Sequence, residues 1–222
     1  PEEAVVYAAA TRFLVVGLVS AHALAVVVQP RISALLARRQ LAEVRDLYQV
    51  STSWLVLLTW PAYILVGSHA PTLLRLFGEE FTDAASVLAI LAGAMMFSMA
   101  CGTVEVVLAM AGQTLWTLGS SVLALVVNVT IDVVLIPRWG IDGAAVGWAA
   151  AVVVNNAVSL WRLNRDEGVH PFGSATVLAM GVAAVLVGAP ALAVRSLDLW
   201  VVVAVTAASG VGYLAAVWTL RQ

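Results

Sequence analysis

Residues 114–136 read TLWTLGSSVLALVVNVTIDVVLI, and this stretch decides the fold class of the chain. Asp132 is its only charged residue, and nearly all other positions are apolar or weakly polar. An α-helix rises about 1.5 Å per residue, so about 20 such residues cross the ~30 Å hydrocarbon core of a bilayer. A transmembrane β-strand would be shorter and would alternate apolar with polar residues, which this stretch does not. The stretch therefore predicts a membrane-spanning α-helix.

Further apolar runs of similar length lie on both sides of this stretch, separated by breaks that contain Pro or Gly or, at 195–198, charged residues. The seven predicted spans cover residues 5–28, 51–74, 84–110, 114–136, 141–161, 174–194 and 199–220. Of the 222 residues, 62% are hydrophobic and 11% are charged, whereas soluble domains carry about 25% charged residues. We therefore expect an all-α integral membrane protein and exclude a small soluble enzyme. The net charge of -2 excludes a nucleic-acid partner, which requires a basic face.

The arginine residues are distributed unequally between the two sides that seven alternating spans define. Seven arginines fall on one side and three on the other, while Arg12 lies inside the first span. Basic residues are enriched in cytoplasmic loops, so we expect the seven-arginine side and the C-terminus to face the cytoplasm. The chain begins with Pro1-Glu2-Glu3 instead of Met, so we also expect it to be a fragment of a longer protein.

The long connection between the first two predicted spans has a helical pattern of its own. Between residues 31 and 48, apolar residues recur at near-helical spacing, and charged residues occupy the other faces. This pattern predicts an amphipathic helix that lies on the cytoplasmic surface. It acts either as a simple connector or, through its four arginines, as a contact for anionic lipids.

Charged residues inside the predicted spans are the candidate functional residues, because a membrane tolerates them only beside a partner or a water-filled cavity. Arg12 lies about eight residues into its span, or roughly 11 Å below the outer end. Its guanidinium offers a planar set of donors that suits phosphate or carboxylate. Two interpretations stay open: an anion contact in a cavity, or a structural pair with an acid on another helix.

Glu105 lies in the third predicted span on a stripe of small, weakly polar residues. In a continuous helix this stripe comprises Ala94, Ser98, Cys101, Gly102, Ala109 and Gly112. Such stripes let helices pack closely or line a cavity. Glu105 is expected either to couple transport to an ion or to form a hydrogen bond with a neighbouring helix.

His22 in the first span is expected to make an interhelical contact, with pH sensing as the alternative.

The fourth and fifth predicted spans carry two further polar or small-residue patterns. Asn128 and Asp132 share one face of the fourth span, where they serve interhelical hydrogen bonding or ion coupling. The fifth span has small or amide residues at every fourth position, namely Gly143, Gly147, Ala151 and Asn155. This ridge predicts close packing against another helix.

Motifs of soluble enzyme chemistry are missing from the sequence. It contains no HExxH, no GxSxG and no phosphate-binding Gly-rich loop. Cys101 is the single cysteine, and the three histidines lie in separate segments, so we expect neither a metal nor a cofactor. Transport is therefore expected rather than catalysis. The alternative is a membrane-embedded transferase that uses the acidic loop residues Glu79, Glu80 and Asp83.

Three segments resemble a known transporter family in their order and spacing. The strongest is Asn128 to Ala145, NVTIDVVLIPRWGIDGAA, followed by the LFGEEF stretch at 76–81 and by the residues at 7–13 and 30–33. Together they resemble the polysaccharide-biosynthesis flippases of the MOP superfamily, which includes lipid II flippases and MATE exporters. Ala10-Thr11-Arg12-Phe13 is similar to the Ala-x-Arg-hydrophobic context in the eighth helix of lipid II flippases.

The resemblance implies a C-terminal half of a transporter with two lobes. Residues 1–162 would form the C-terminal lobe, residues 174–222 two peripheral helices, and the missing N-terminal lobe would be the partner. The cargo would be an undecaprenyl-pyrophosphate-linked oligosaccharide, a surface polysaccharide precursor, moved across the bacterial cytoplasmic membrane by alternating access. Arg12 would contact the diphosphate, whereas Glu105 has no counterpart in the family pattern. The alternative is a proton- or sodium-coupled exporter of small molecules, as in MATE proteins.

Overall fold

A computed structural model describes residues 15–75 and 78–193, together with Ala208 and Tyr213. Every regular element in this part of the chain is helical, which confirms the all-α membrane fold. Six described helical segments are long and apolar enough to cross a bilayer: Gly17–Ala37, Leu41–Ser68, Phe81–Met110, Thr114–Trp139, Ile141–Glu167 and Ser174–Ala193. The seventh predicted span, residues 199–220, lies outside the described residues except for Ala208 and Tyr213.

The first two helices form a hairpin, and here the helix bounds differ from those predicted. Helix α1 (Val15–Ala37) continues through Pro30, and α2 (Leu41–Ser68) begins directly after the turn. The amphipathic segment predicted over 31–48 is therefore not a separate surface helix, because its two halves belong to α1 and α2. Neighbouring helices in a bundle allow a helix to continue past a proline.

The turn between α1 and α2 has the hydrogen bonds of a Schellman motif. The N–H of Gln40 donates to the carbonyl of Leu35 at 3.0 Å, and the N–H of Arg39 donates to that of Leu36 at 3.0 Å. Arg39 has a φ of 55°, the left-handed conformation that this motif requires at its C′ position. Glycine usually occupies that position, so the sequence carries no ordinary signal for the end of α1.

The third predicted span, 84–110, is interrupted in the structure. A short helix α3 (Ala70–Arg75) and a 3₁₀ turn (Glu79–Ala84) precede α4 (Ala85–Ala100), and α5 (Val104–Met110) follows a break. Gly102 in the break has a φ of 64°. The stripe predicted around Glu105 assumed a continuous helix, and the break at residues 101–103 separates its two halves.

Helices α6 (Thr114–Trp139) and α7 (Ile141–Glu167) form a second, closely packed hairpin joined at Gly140. Both are longer than predicted, since α6 continues past Pro137 and α7 past residue 161. The last described span consists of α8 (Ser174–Ala183), a π-helical turn (Ala184–Gly188) and α9 (Ala189–Ala193).

Helix α2 lies at the centre of the described bundle. It packs against α1, α4 and α8, while α4 and α5 separate it from α7, and α6 packs on α7. Two buried clusters run along α2: one is built around Leu55, Tyr63, Leu88 and Leu91, and the other around Val44, Tyr48, Cys101 and Leu108. Helix α6 buries only Ser120 and Ala124, so most of its apolar surface is available to lipid.

Candidate functional site

The break between α4 and α5 is held in place from the α2 side. The Tyr48 hydroxyl donates a hydrogen bond to the carbonyl of Cys101, which the break leaves without a helical partner. Gly102 lies so close to α2 that a Cβ there would be 2.2 Å from Oγ1 of Thr52. The interruption is therefore packed tightly on one side, which gives Glu105 at the start of α5 a defined position.

On its other side the break borders a cavity of about 390 Å³ between α1, α4, α5 and α7. Most of the lining is apolar. Its polar wall consists of His22, Ser98, Thr103, Glu105, Asn155 and Asn156. Irregular backbone is tolerated within a bilayer where it borders such a cavity, and interrupted helices commonly form transport sites.

Glu105 and Asn155 form the central polar contact of this cavity. The Nδ2 of Asn155 on α7 donates a hydrogen bond to Oε1 of Glu105 on α5, across 50 positions of sequence. The other amide atom, Oδ1 of Asn155, is buried and has no hydrogen-bond partner among the described residues. Glu105, predicted as an ion-coupling or cavity residue, therefore lines a cavity. Its partner Asn155 has a free acceptor, Oδ1, within the described part of the chain.

A second polar contact connects α7 to α4 in the same cavity. Nδ2 of Asn156 lies 3.4 Å from Oγ of Ser98 and donates at 2.9 Å to the carbonyl of Val152. Sequence reasoning selected Asn155 but missed Asn156. The adjacent pair Asn155-Asn156 in an otherwise apolar helix was the available signal, because buried amides need hydrogen-bond partners.

The ridge on α7 serves two different contacts. A Cβ at Gly143 would lie 2.6 Å from the carbonyl carbon of Leu135, so α6 and α7 touch backbone to backbone there. Steps of four residues advance about 40° around a helix with 3.6 residues per turn, so the ridge turns by about 120° between Gly143 and Asn155. The glycine end consequently faces α6, and the asparagine end faces α5.

Asn128 and Asp132 lie in the α6–α7 contact and not in the cavity lining. Nδ2 of Asn128 donates to Oδ2 of Asp132 at 3.1 Å, within one helix turn. The absence of a side chain at Gly147 leaves room for the carboxylate, since a Cβ would be 1.9 Å from Oδ1 of Asp132. That oxygen is buried and without a hydrogen-bond partner in the described part of the chain.

Arg12 lies outside the described residues, so its position relative to the cavity stays a prediction. His22, ten residues later on α1, does line the cavity. The structure thus brings His22, Glu105 and Asn155 together and places Asn128 and Asp132 at a separate contact. Within residues 15–75 and 78–193, no three His, Cys, Asp or Glu side chains are grouped to hold a metal ion.

A cluster of polar and aromatic side chains around Arg162, on the seven-arginine side, joins α6 to α7 and was not predicted. Arg162 donates to Oε1 of Gln113 at 2.8 Å, pairs with Asp166 at 2.8 Å and lies 4.8 Å above the Trp116 ring. The spacing of Arg162 and Asp166 by four residues was the available sequence signal. The cluster connects the two helix ends and does not border the cavity.

Comparison with known proteins identifies the family. The model of the lipid II flippase MurJ family matches residues 3–210. This chain belongs to the MurJ lipid II flippase family. The assignment confirms the predicted resemblance to lipid-linked flippases, which are transporters rather than catalysts.

One curated relative carries a related description. The chain is 27% identical over 191 residues to the probable low-salt glycan biosynthesis flippase Agl15 of Haloferax volcanii, covering 82% of this chain and 40% of that protein. The chain thus spans about 40% of the length of that relative. No solved structure gives a significant match to the chain.

Proposed function

We propose that this chain is the C-terminal part of a transporter that flips an undecaprenyl-pyrophosphate-linked oligosaccharide from the inner to the outer leaflet of the bacterial cytoplasmic membrane. The match of the lipid II flippase family over residues 3–210 carries this proposal. Residues 1–162 act as one lobe, residues 174–222 as two peripheral helices, and an N-terminal lobe completes the transporter. The substrate moves by alternating access between the lobes.

The described geometry is compatible with a lobe of this kind. An interrupted helix, α4–α5, borders a cavity whose polar wall carries a carboxylate and two amides. Interrupted helices and midplane cavities are features of transporters that alternate between two open states. The exposed, largely apolar outer surface of α6 fits a position against lipid.

Arg12 is the proposed contact for the diphosphate of the substrate. A guanidinium binds phosphate oxygens through two parallel N–H donors, and a lysine supplies only a point charge. We propose that Arg12 lies in the cavity between the lobes. The diphosphate carries the highest negative charge of the groups that define a lipid-linked glycan, so it is the anion that we expect Arg12 to bind.

The test is export of lipid-linked glycan in cells that depend on the full-length protein. Loss of one charge-assisted contact costs about 1.5–3 kcal/mol, which is roughly a ten- to hundredfold loss of transport. We expect this loss for Arg12→Ala, with part of the activity kept by Arg12→Lys. Arg75→Ala is the matched control, because Arg75 is exposed and has a 3.8 Å contact with Glu79. Full export by Arg12→Ala at normal protein levels would remove Arg12 from the mechanism.

The second candidate function is a cation-coupled exporter of small molecules, in the manner of MATE proteins. The carboxylate of Glu105 in the cavity favours this alternative, since such exporters need an ion-binding acid. Deletion of the gene separates the two functions. Loss of surface glycan supports the flippase, whereas drug sensitivity with intact surface glycan supports the exporter.

A further inference from the structure

The contact between Glu105 and Asn155 has an unused acceptor. An amide and a carboxylic acid can form two parallel hydrogen bonds, one from the amide N–H to a carboxyl oxygen and one from the acid O–H to the amide oxygen. The first of these bonds is present, from Nδ2 of Asn155 to Oε1 of Glu105. The acceptor of the second, Oδ1 of Asn155, is buried and has no partner among the described residues.

From this arrangement we propose that Glu105 is a proton-binding group, and that the proton it takes up is donated to Oδ1 of Asn155. The proposal rests on the proposed transport function, for which it supplies the coupling ion. The carboxylate binds one H⁺ at Oε2 and becomes a neutral carboxylic acid. Its O–H then donates to Asn155, and release of H⁺ restores the carboxylate.

Among the described residues, the cavity supplies no arginine to pair with the Glu105 carboxylate. A carboxylate in an apolar site is costly unless a cation pairs with it. The described cavity lining contains no arginine, and its titratable side chains are Glu105 and His22 of α1. From α4 and α7 the polar groups facing the cavity are neutral: Ser98, Asn155 and Asn156.

Charged and titratable groups on the other neighbouring helices lie in separate contacts. On α2, the Tyr48 hydroxyl is occupied by the carbonyl of Cys101 behind the break. On α6, the Asp132 carboxylate lies against Gly147 and Asn128. Neither Tyr48 nor Asp132 lines the cavity.

Proton uptake at this site changes the connection between two helices. Deprotonated Glu105 is joined to Asn155 by one hydrogen bond, and protonated Glu105 is joined by two. A ligand shifts a conformational equilibrium toward the state that binds it more tightly. Protonation thus favours the lobe conformation in which α5 and α7 are in contact, and deprotonation favours their separation at the break before α5.

Infrared difference spectroscopy tests this directly on the purified full-length protein in lipid nanodiscs. The C=O stretch of a protonated carboxylic acid is recorded as the pH is lowered, with no glycan substrate present. We expect a carboxylic-acid band that titrates in the wild type and is lost in Glu105→Gln. The matched control Glu43→Gln should keep the band, because Glu43 is exposed on α2 and, among the described residues, forms a hydrogen bond only with Gln40. A band unchanged in Glu105→Gln would overturn the proposal.

Two further variants test the partner and guard against misfolding. Asn155→Leu should keep the band but move it to higher frequency, since the acid loses its acceptor; an unmoved band would refute the role of Asn155.

If Glu105→Gln does not fold, Glu105→Asp keeps a carboxyl group that is one methylene too short to reach Asn155. We expect it to show the same upward shift, and an unshifted band would count against the pair.

The choice of salt separates a proton from a metal cation. Titrations in sodium chloride and in choline chloride should coincide if Glu105 binds only H⁺. A band that appears only when sodium is removed would show that the site binds Na⁺, and the proposal would be wrong. Because the spectra require no glycan, a titrating Glu105 band in a protein whose gene deletion leaves glycan export intact would refute the proposed substrate and not the proton site.

Discussion

At the residue scale, Gly102 determines the shape of the break between α4 and α5. Its φ of 64° belongs to the left-handed region, where a residue with a Cβ is strained. Its position against α2 adds a packing constraint, because a Cβ there would lie 2.2 Å from Oγ1 of Thr52 and 3.0 Å from the Tyr48 ring. Backbone conformation and close packing therefore both require glycine.

We expect Gly102→Ala to lower the free energy of unfolding by at least ~2 kcal/mol, from the strained φ and the overpacked contact together. Thermal unfolding in detergent measures the effect. Gly93→Ala on α4 is the control, because a Cβ there meets nothing within 4 Å. Alanine is the better helix former by roughly 0.5–1 kcal/mol, so this control should be neutral or stabilising. Equal melting temperatures for the two variants would contradict the role of Gly102.

At the element scale, the α6–α7 hairpin depends on glycines that bring two backbones together. Gly143 permits contact with the backbone of Leu135 and Ile136, and Gly147 leaves space for the Asp132 carboxylate. Without a hydrophobic driving force between helices in lipid, such close packing is a main source of helix association. The small residues therefore position α7, and with it Asn155, relative to the rest of the lobe.

Gly143→Ala should force α6 and α7 apart, because its Cβ would be 2.6 Å from the Leu135 carbonyl carbon. Overpacking of this kind costs about 1–3 kcal/mol. We expect a lower melting temperature, measured as before in detergent. Gly119→Ala on α6 is the matched control, since nothing lies within 4 Å of its added Cβ. A wild-type melting temperature for Gly143→Ala would show that the helices can separate at no cost.

Helix bounds show how far local sequence determines an element. Pro30 predicted a break, yet α1 continues through it and ends at a Schellman turn around Arg39. A proline removes one backbone hydrogen bond, which packing in a bundle can offset. The left-handed residue that does end α1 is an arginine, and arginine carries no turn signal.

At the scale of the whole molecule, the described helices place the connections at alternating ends of the bundle. The turn at 38–40, the turn at 111–113 and the loop at 168–173 belong to the arginine-rich side, while the connections at 78–84 and around Gly140 belong to the other. The positive-inside rule predicts that the first group faces the cytoplasm.

Cysteine labelling in intact cells measures this orientation. A membrane-impermeant maleimide should label Asp83→Cys in intact cells, and should label Ala42→Cys only after the membrane is permeabilised. Both residues are exposed, and the predicted orientation puts them on opposite sides of the membrane. The native Cys101 is 0% exposed and provides an unlabelled background in this chain. Labelling of Ala42→Cys in intact cells would reverse the predicted orientation.

The candidate site could be predicted only in part. Glu105 was identified because a carboxylate in an apolar span stands out by composition alone. Its partner Asn155 was assigned to a packing ridge, because sequence periodicity shows which residues share a helix face and not which helix that face meets. The interruption before Glu105 also escaped prediction, since residues 101–103 lie within an apolar run that satisfies every length criterion for one span.

The sequence by itself determined the membrane class, the approximate positions of the six described spans and the family resemblance. In lipid each span must satisfy its own backbone hydrogen bonds, so length and apolar composition are sufficient to find it. Only the tertiary structure decided where α4 stops, which helices meet and which amide faces Glu105. Those features depend on contacts between residues far apart in the chain, such as Tyr48 with Cys101 and Asn155 with Glu105, and no local pattern encodes them.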